Sequence, residues 1–174
     1  MNKQALALAL AVAALMSVSI TNAFADDQGG PLSVSVPVTF VDGNAFWGGY
    51  VDYLPTVAPH IQAGIETGFQ IWSDSEDDVS ANEWVVPILL TGLYNFDIGV
   101  PAITPFAGLG LGVAIAHASV DLGGGLNGDG TEAVFEGLVH GGVKFGPTKK
   151  FFFDMRLGII DSSFAIAPSV GFSF

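Results

Sequence analysis

The sequence predicts an all-β fold, a closed antiparallel barrel of about eight strands that crosses a membrane. Three observations carry this prediction. Apolar residues alternate with small or polar ones along most of the chain, few charged side chains are available to face water, and the connections between strands alternate between long and short. No segment after residue 25 offers a long apolar stretch of helical type, so strands are the expected elements.

The composition excludes several classes of protein. Of the 174 residues, 50% are hydrophobic and 13% are charged, whereas a soluble domain carries about 25% charged residues. The net charge of -12, with only 5 Lys and Arg, argues against a nucleic-acid partner, because such binding depends on bases that contact phosphates. The chain has no Cys, so disulfides, thiolate catalysis and thiolate metal sites are excluded. We predict neither a metal nor a cofactor.

The first 25 residues have the pattern of a secretory signal peptide. Lys3 precedes the apolar run 5–16, and small residues occupy both required positions of the cleavage site Ala23-Phe24-Ala25. The apolar run is shorter than the about 20 residues that a membrane-spanning helix needs. We therefore assign residues 1–25 to a signal peptide and residues 26–174 to the barrel domain.

Alternation of apolar and polar residues predicts which side chains face lipid. Apolar residues occupy every second position in 32–40 and again in 164–174, and in 61–71 the apolar set that includes Phe69 opposes a set that includes Glu66. The further strands are predicted near 46–54, 59–72, 83–94, 103–117, 132–146 and 150–160. With the apolar faces inward, the outside would be Ser, Gly and Ala with few charges, so we place those faces outward. Both faces of 83–94 are apolar, and its inward side stays open.

The connections predict the orientation in the membrane. The acidic stretch 73–78 and the Gly-rich stretch 121–131 are long, whereas 54–59, 96–102 and 146–150 are tighter and bear proline. Long external loops with short periplasmic turns are typical of outer-membrane barrels. We therefore expect the acidic loop outside the cell as a solvated loop, and binding of a hard cation such as Ca²⁺ stays open as the alternative.

The three tryptophans mark one edge of the predicted membrane span. Trp47, Trp72 and Trp84 all fall where strands meet the first two external loops. Tryptophan favours the interface between hydrocarbon and water because its ring is apolar and its N–H is polar. We predict that the three form the outer aromatic girdle.

The inward positions predict a network of ion pairs in the lumen. They collect the carboxylates of Asp52, Glu66, Glu136 and Asp154 and the cations of Lys144 and Arg156. An eight-stranded barrel is filled by side chains, and the fixed fork of donors on arginine bridges two carboxylates. We expect Arg156 to be the hub, with Glu136 on the adjoining strand as its favoured partner and Glu66 as the other candidate.

The chain resembles the small bacterial outer-membrane β-barrels, which include OmpA-type membrane domains. The resemblance covers the whole chain after the signal peptide and rests on that peptide, the terminal run 169–174 and the glycine repeat in 104–113. It implies that Val170, Phe172 and Phe174 form the signal read by the barrel-assembly machinery. The implied partners are that machinery and the lipid and lipopolysaccharide of the outer membrane, with the barrel as a monomer.

The predicted function is a non-enzymatic structural or surface-interaction role with a filled lumen. Two alternatives stay open: a narrow channel for small solutes or cations, and a hydrolase that modifies lipid A. The resemblance implies a His-x-Ser-Asn motif on the seventh strand for such a hydrolase, and no histidine stands there. His117-Ala118-Ser119 has the spacing but belongs to the fifth strand, facing lipid, with no matching acid assigned. We assign no catalytic residue.

Overall fold

The computed structural model describes residues 30–76, 79–121, 127–146 and 148–174. The predicted signal peptide lies outside these residues. The described chain forms nine strands: β1 (Leu32–Val41), β2 (Asn44–Tyr53), β3 (Thr56–Ala58), β4 (Ile61–Glu76), β5 (Val79–Asn95), β6 (Ile103–Asp121), β7 (Asn127–Phe145), β8 (Phe151–Ile160) and β9 (Ser163–Ser173). Within the described part of the chain, no helix has the length and apolar character needed to cross a membrane.

Eight of these strands close into a barrel. All strand pairs are antiparallel, β1 pairs with β9, and β2 pairs with β4, where Asp52 stands opposite Glu66. The short β3 pairs only with the first residues of β4. Closure gives every strand of the barrel wall two neighbouring strands. A barrel in a membrane needs this pairing, because a backbone N–H or C=O group that lacks a hydrogen bond in hydrocarbon is costly. The predicted closed barrel of about eight strands is confirmed.

The two faces of the wall are inverted relative to a water-soluble barrel. Polar side chains such as Gln62, Glu66 and Gln70 are buried inside, whereas Phe69 and Ile71 on the same strand are exposed outside. The structure also assigns the strand that the sequence left open. The inward side chains of β5 are buried: Val85, Pro87, Leu89, Thr91, Leu93 and Asn95. The exposed surface is thus apolar and suited to lipid.

The strands are very unequal in length. Strands β4 to β7 have 16, 17, 19 and 19 residues, whereas β1, β2, β8 and β9 have 10 or 11. The ends of β4 to β7, at residues 72–76, 79–83, 116–121 and 127–135, therefore rise beyond the other strands. We call this part the projecting sheet and its end of the barrel the projecting end. The opposite end, with residues 54–60, 96–102, 146 and 148–150, is the turn end.

The predicted long loops are largely strand. Residues 73–76 belong to β4 and residues 127–131 to β7, where the sequence predicts loops. Continuous pairing explains the difference, since β6 and β7 stay in register as far as Asp121 opposite Asn127. A glycine-rich or acidic composition lowers strand propensity, but pairing with a neighbouring strand outweighs such weak preferences.

Two tight hairpins connect the short strands β1 to β2 and β8 to β9 at the projecting end of the barrel. Asp42 and Gly43 connect β1 to β2 with φ of 48° and 87°, and Asp161 and Ser162 connect β8 to β9 with φ of 46° and 72°. Two consecutive residues with positive φ are the pattern of a type I′ turn, which matches the twist of a hairpin. Ser163 Oγ donates to Asp42 Oδ2 over 2.6 Å and joins the two hairpins.

The interior of the barrel has three layers. An apolar cluster of Phe46, Val85, Ala114 and Val134 lies towards the projecting end. A second apolar cluster of Leu54, Leu93, Phe106 and Phe152 lies towards the turn end. Buried charged and polar side chains, which we call the polar layer, lie between the two clusters around Arg156 and extend beside the second cluster as far as Lys144 and Asn95.

Candidate functional site

Arg156 on β8 is the centre of the polar layer. Its Nη1 donates to Glu66 Oε1, its Nε donates to Asp154 Oδ2 over 2.8 Å, and its guanidinium lies 4.5 Å from the centre of the Tyr50 ring. The residue is only 4% exposed. A buried guanidinium is tolerated when its donors meet carboxylates, because the pairing offsets the loss of hydration.

The ion pair with Glu66 crosses the barrel. In the closed order of the eight long strands, β8 and β4 are separated by three strands in either direction and so lie on opposite walls. Side chains at alternate positions of a strand point inward, which puts Asp154 and Arg156 in the lumen together. The Arg156–Glu66 contact therefore spans the lumen at its middle layer.

His140 extends this network to β7. It stands opposite Arg156 in the β7–β8 register, and its Nδ1 lies 3.1 Å from Asp154 Oδ2. An ionised carboxylate only accepts hydrogen bonds, so Nδ1–H is the donor of this contact. Asp154 Oδ2 thus accepts from both Arg156 and His140.

Glu136 does not hold the position that the sequence favours. The described ion pairs of Arg156 are with Glu66 and Asp154. The β7–β8 register explains the correction, because it aligns Glu136 with Ile160, four residues along β8 from Arg156. Glu136 and Arg156 line one cavity of about 20 Å³ together with Tyr50 of β2.

Lys144 and Asp52 bind neutral partners in the same layer. Lys144 Nζ donates to Gln62 Oε1 over 2.6 Å and lies 5.6 Å from the centre of the Phe106 ring. Asp52 Oδ2 accepts from Ser33 Oγ over 2.9 Å. The amide of Gln62 also accepts from Asn95 Nδ2 over 3.2 Å, so neutral groups connect β4, β5 and β7.

A cavity of about 30 Å³ borders the carboxylates of this layer. It is lined by Asp52, Glu66 and Asp154 together with His140 and Arg156. One oxygen of each of these three carboxylates makes no hydrogen bond to any described residue. A polar cavity of this size has room for about two water molecules.

Several members of the polar layer are absent from the sequence prediction. The ring of Tyr50 stacks on Arg156 and its hydroxyl accepts from Gln70, while Gln62 accepts from both Lys144 and Asn95. Tyr50 shares the inward parity of Asp52 on β2, and Gln62 shares that of Glu66 on β4, so parity with these carboxylates indicates both. Asn95 has no such signal, because it lies on β5, where the sequence assigns no inward residue.

The structure corrects one residue of the predicted aromatic girdle. Trp47 points outward and is 61% exposed, and Trp84 is stacked between Phe69 and His117 on the outer surface. Trp72 instead packs with Phe46 at the apolar cluster inside the projecting end. Its position in β4 has the parity of Gln70, so it faces the lumen although it lies near a strand end.

The predicted assembly signal lies on the outer face of β9. Val170 and Phe174 are exposed, and Phe172 packs edge to face against Phe151 and Phe174 with ring centres 4.9 and 5.0 Å apart. Phe174 N donates to Leu32 O over 2.7 Å. The described chain thus ends against β1, with these three side chains along the turn end.

The His117-Ala118-Ser119 segment lies on the outer side of β6. His117 stacks on Trp84 with ring centres 5.2 Å apart, and its Nδ1 lies 2.7 Å from Thr131 Oγ1. The register sets Asp129 opposite Ser119. Among the described residues the histidine binds the threonine and not the serine, so the arrangement is not that of a nucleophile joined to its base.

The charges of the described chain are segregated along the barrel. Every described Lys and Arg lies in the lumen (Lys144 and Arg156) or at the turn end (Lys149 and Lys150). The described carboxylates at the projecting end are Asp42, Asp74, Glu83, Asp121, Asp129, Glu132 and Asp161. Partial burial and, next, the negative charge of Glu132 raise the pKa of Glu83. The projecting end is therefore anionic.

Comparison with known proteins finds similarity in structure alone. No family model matches the sequence, and no curated protein sequence matches it. The outer-membrane enzyme PagL is 17% identical over 82% of this chain and 99% of PagL, with a TM-score of 0.56. The N-terminal β-barrel domain of Pseudomonas aeruginosa OprF is 17% identical over 84% of this chain and 100% of the domain, with a TM-score of 0.51.

The attachment invasion locus protein Ail of Yersinia pestis, solved with the heparin analogue sucrose octasulfate, is also similar. It is 12% identical over 80% of this chain and 93% of Ail, with a TM-score of 0.52. The fold is that of a small outer-membrane β-barrel. This agrees with the OmpA-type resemblance and supports a location in the bacterial outer membrane. At these identities the similarity shows the fold of the outer-membrane barrel and not its activity.

Proposed function

We propose that this outer-membrane barrel is a non-enzymatic protein with a closed lumen and a structural or surface-interaction role. The observation that carries the proposal is the Arg156–Glu66 ion pair across the middle layer. The two apolar clusters on either side of it add to the barrier, because an ion would have to leave water to pass them. Two cavities in this layer measure about 30 and 20 Å³.

The proposal includes an orientation with the projecting end outside the cell. Long external hairpins and short periplasmic turns support it, and so do Lys149 and Lys150 at the turn end. The projecting sheet is then the part of the barrel that rises above the lipid. The anionic character of this end distinguishes the chain from a receptor for polyanions, so we expect no binding of a heparin analogue such as the one bound to Ail.

Conductance in planar bilayers tests the closed lumen. We expect the reconstituted protein to show no stable current steps in KCl, with a wide porin in the same bilayers as the positive control. Reproducible cation-selective steps from the unaltered protein would overturn the proposal in favour of the narrow channel. Mass spectrometry of lipid A from cells with and without the protein tests the third function, and loss of an acyl chain only in its presence would establish a hydrolase.

A further inference from the structure

The outer edge of β7 has no strand beside it at the projecting end. β8 pairs with β7 only as far as Ile160 opposite Glu136, and Asp161 N donates to Phe135 O over 3.2 Å as the last contact of this seam. Residues 127–134 extend β7 beyond that point. Among the described residues, no strand pairs with this side of 127–134.

The backbone groups on that edge follow from the ladder. In an antiparallel ladder the N–H and C=O of one residue point to the same side, and successive residues alternate. Phe135 O points to the open side, and the β6–β7 register continues without a shift to Asn127. Ala133, Thr131, Asp129 and Asn127 therefore direct their N–H and C=O groups outward from the sheet, as a template for one more strand.

This edge lacks several of the features that protect an exposed strand. Natural edges are blunted by proline, by lysine and other charges, by a bulge or by a covering segment, because an open edge pairs with other chains. Residues 127–134 contain no Pro and no Lys, and the pairing with β6 has no bulge. The other side of the projecting sheet is shorter, since β2 already ends its pairing with β4 at Ile71.

The charges decide which kind of strand fits. Asp129 and Glu132 lie on the edge strand itself, and Asp121 and Glu83 lie on the strands behind it. A second copy of this chain would bring the same acids against them, and like charges on paired strands are unfavourable. An extended segment that carries lysine or arginine would have complementary charge.

We propose that the open edge of β7 at residues 127–134 is a docking site for an extended basic segment of a partner protein. The segment adds as a strand to the projecting sheet, so backbone hydrogen bonds supply affinity and the acids supply selectivity. The site rests on the proposed function in one respect, because the partner must meet the projecting end outside the cell.

Synthetic peptides of about nine residues, the length of a short strand, test the site on the barrel in nanodiscs of zwitterionic lipid. The probe alternates lysine with valine and threonine. One matched peptide replaces lysine by glutamate, and another keeps the lysines but carries two prolines. Fluorescence anisotropy should show binding of the probe, no binding of the glutamate peptide, and affinity about tenfold lower for the proline peptide, which lacks strand donors.

Proline at an outward-facing edge position tests the backbone directly. Ala133→Pro removes one edge N–H without breaking the β6 ladder, and Ala133→Val keeps that N–H as the matched control. We expect about tenfold weaker binding for the proline variant and unchanged binding for the valine variant. Asp129→Pro, compared with Asp129→Asn, repeats the test farther from the membrane should Ala133→Pro fail to fold.

Hydrogen exchange gives the deciding readout. The outward-facing amides of Asn127, Asp129, Thr131 and Ala133 should exchange quickly in the free barrel and slowly with the lysine probe bound, while the amides of β8 are unchanged. Equal binding of both lysine peptides, or of both Ala133 variants, would overturn strand addition and leave attraction between charges alone. Current steps in the same preparation would refute the closed lumen but would leave the evidence for peptide binding unchanged. Failure of the proposed function can therefore be distinguished from failure of the docking site.

Discussion

Arg156 and Glu66 join opposite walls of the barrel through one buried ion pair. Neighbouring strands are already tied by backbone hydrogen bonds, whereas walls four strands apart meet only through side chains. This contact therefore couples two parts of the sheet that no ladder connects. Its loss affects both the shape of the lumen and the stability of the barrel.

Removing Arg156 should destabilise the barrel strongly. Arg156→Ala leaves Glu66 and Asp154 buried without their cation, and breaking a buried pair in this way costs about 3–5 kcal/mol. Urea unfolding in lipid vesicles measures the loss. The double variant with Glu66→Ala should recover part of it, whereas pairing Arg156→Ala with Glu132→Ala at the projecting end should give simple additivity. Additivity in both cycles would contradict the assigned contact.

Leu157 should report the lipid-facing side of β8. Its side chain is 41% exposed between inward Arg156 and Gly158. Leu157→Arg should lower the free energy of unfolding by about 2–4 kcal/mol near the bilayer midplane, because the charge must enter hydrocarbon. Leu157→Ala is the control for loss of the side chain itself. A smaller cost for arginine than for alanine would mean that the two faces are reversed.

Gly112 should tolerate no side chain, in contrast to Gly92 on the neighbouring strand. A Cβ at Gly112 would lie 2.1 Å from the backbone oxygen of Ile88, whereas nothing lies within 4 Å of a Cβ at Gly92. Gly112→Ala should cost about 1–3 kcal/mol through forced shifts of the wall, and Gly92→Ala should change stability by less than about 0.5 kcal/mol. Equal unfolding curves for the two variants would refute the packing described here.

Brominated lipids should separate Trp72 from the other two tryptophans. In variants that keep a single tryptophan, with phenylalanine at the other two positions, Trp47 and Trp84 should be quenched because they face the bilayer. Trp72 should keep its fluorescence because it packs against Phe46 within the barrel. Equal quenching of all three would mean that Trp72 also faces the bilayer, as the sequence predicts, and would contradict its placement in the lumen.

Cysteine labelling should establish the orientation on a chain that has no native Cys. Ser73 on β4 and Thr148 in the turn between β7 and β8 are both exposed at opposite ends of the barrel. With a membrane-impermeant maleimide on intact cells, Ser73→Cys should react and Thr148→Cys should react only after permeabilisation. The reverse order would invert the proposed topology.

The sequence predicts the faces of this barrel well because alternation needs no knowledge of which strands pair. The inward placement of Glu66 and the outward placement of Phe69 follow from their spacing on one strand. The partner of Arg156 does not follow, because it depends on the stagger between β7 and β8 and on the wall opposite β8. No local pattern encodes either relationship.

The side that a residue faces is harder to predict from sequence at the end of a strand. The nearness of Trp72 to a loop predicts a place in the outer aromatic girdle, yet its parity along β4 turns the side chain into the lumen. Trp72 is the last residue of the predicted strand 59–72, where nearness to the acidic stretch favours the interface and parity with Gln70 favours the lumen, and the continuation of β4 to Glu76 explains why parity prevails. The pairing with β5 that extends the strand is a contact between distant segments.

The unequal strand lengths make the molecule directional within the plane of the membrane. One half of its rim is a wall built from β4 to β7, and the other half stops at the two tight hairpins. A neighbour that approaches from the hairpin side meets the inner surface of that wall, with Glu83 and Glu132, whereas one that approaches from behind meets Trp84 and His117. Rotation of the barrel about the membrane normal thus determines which surface an adjacent molecule encounters.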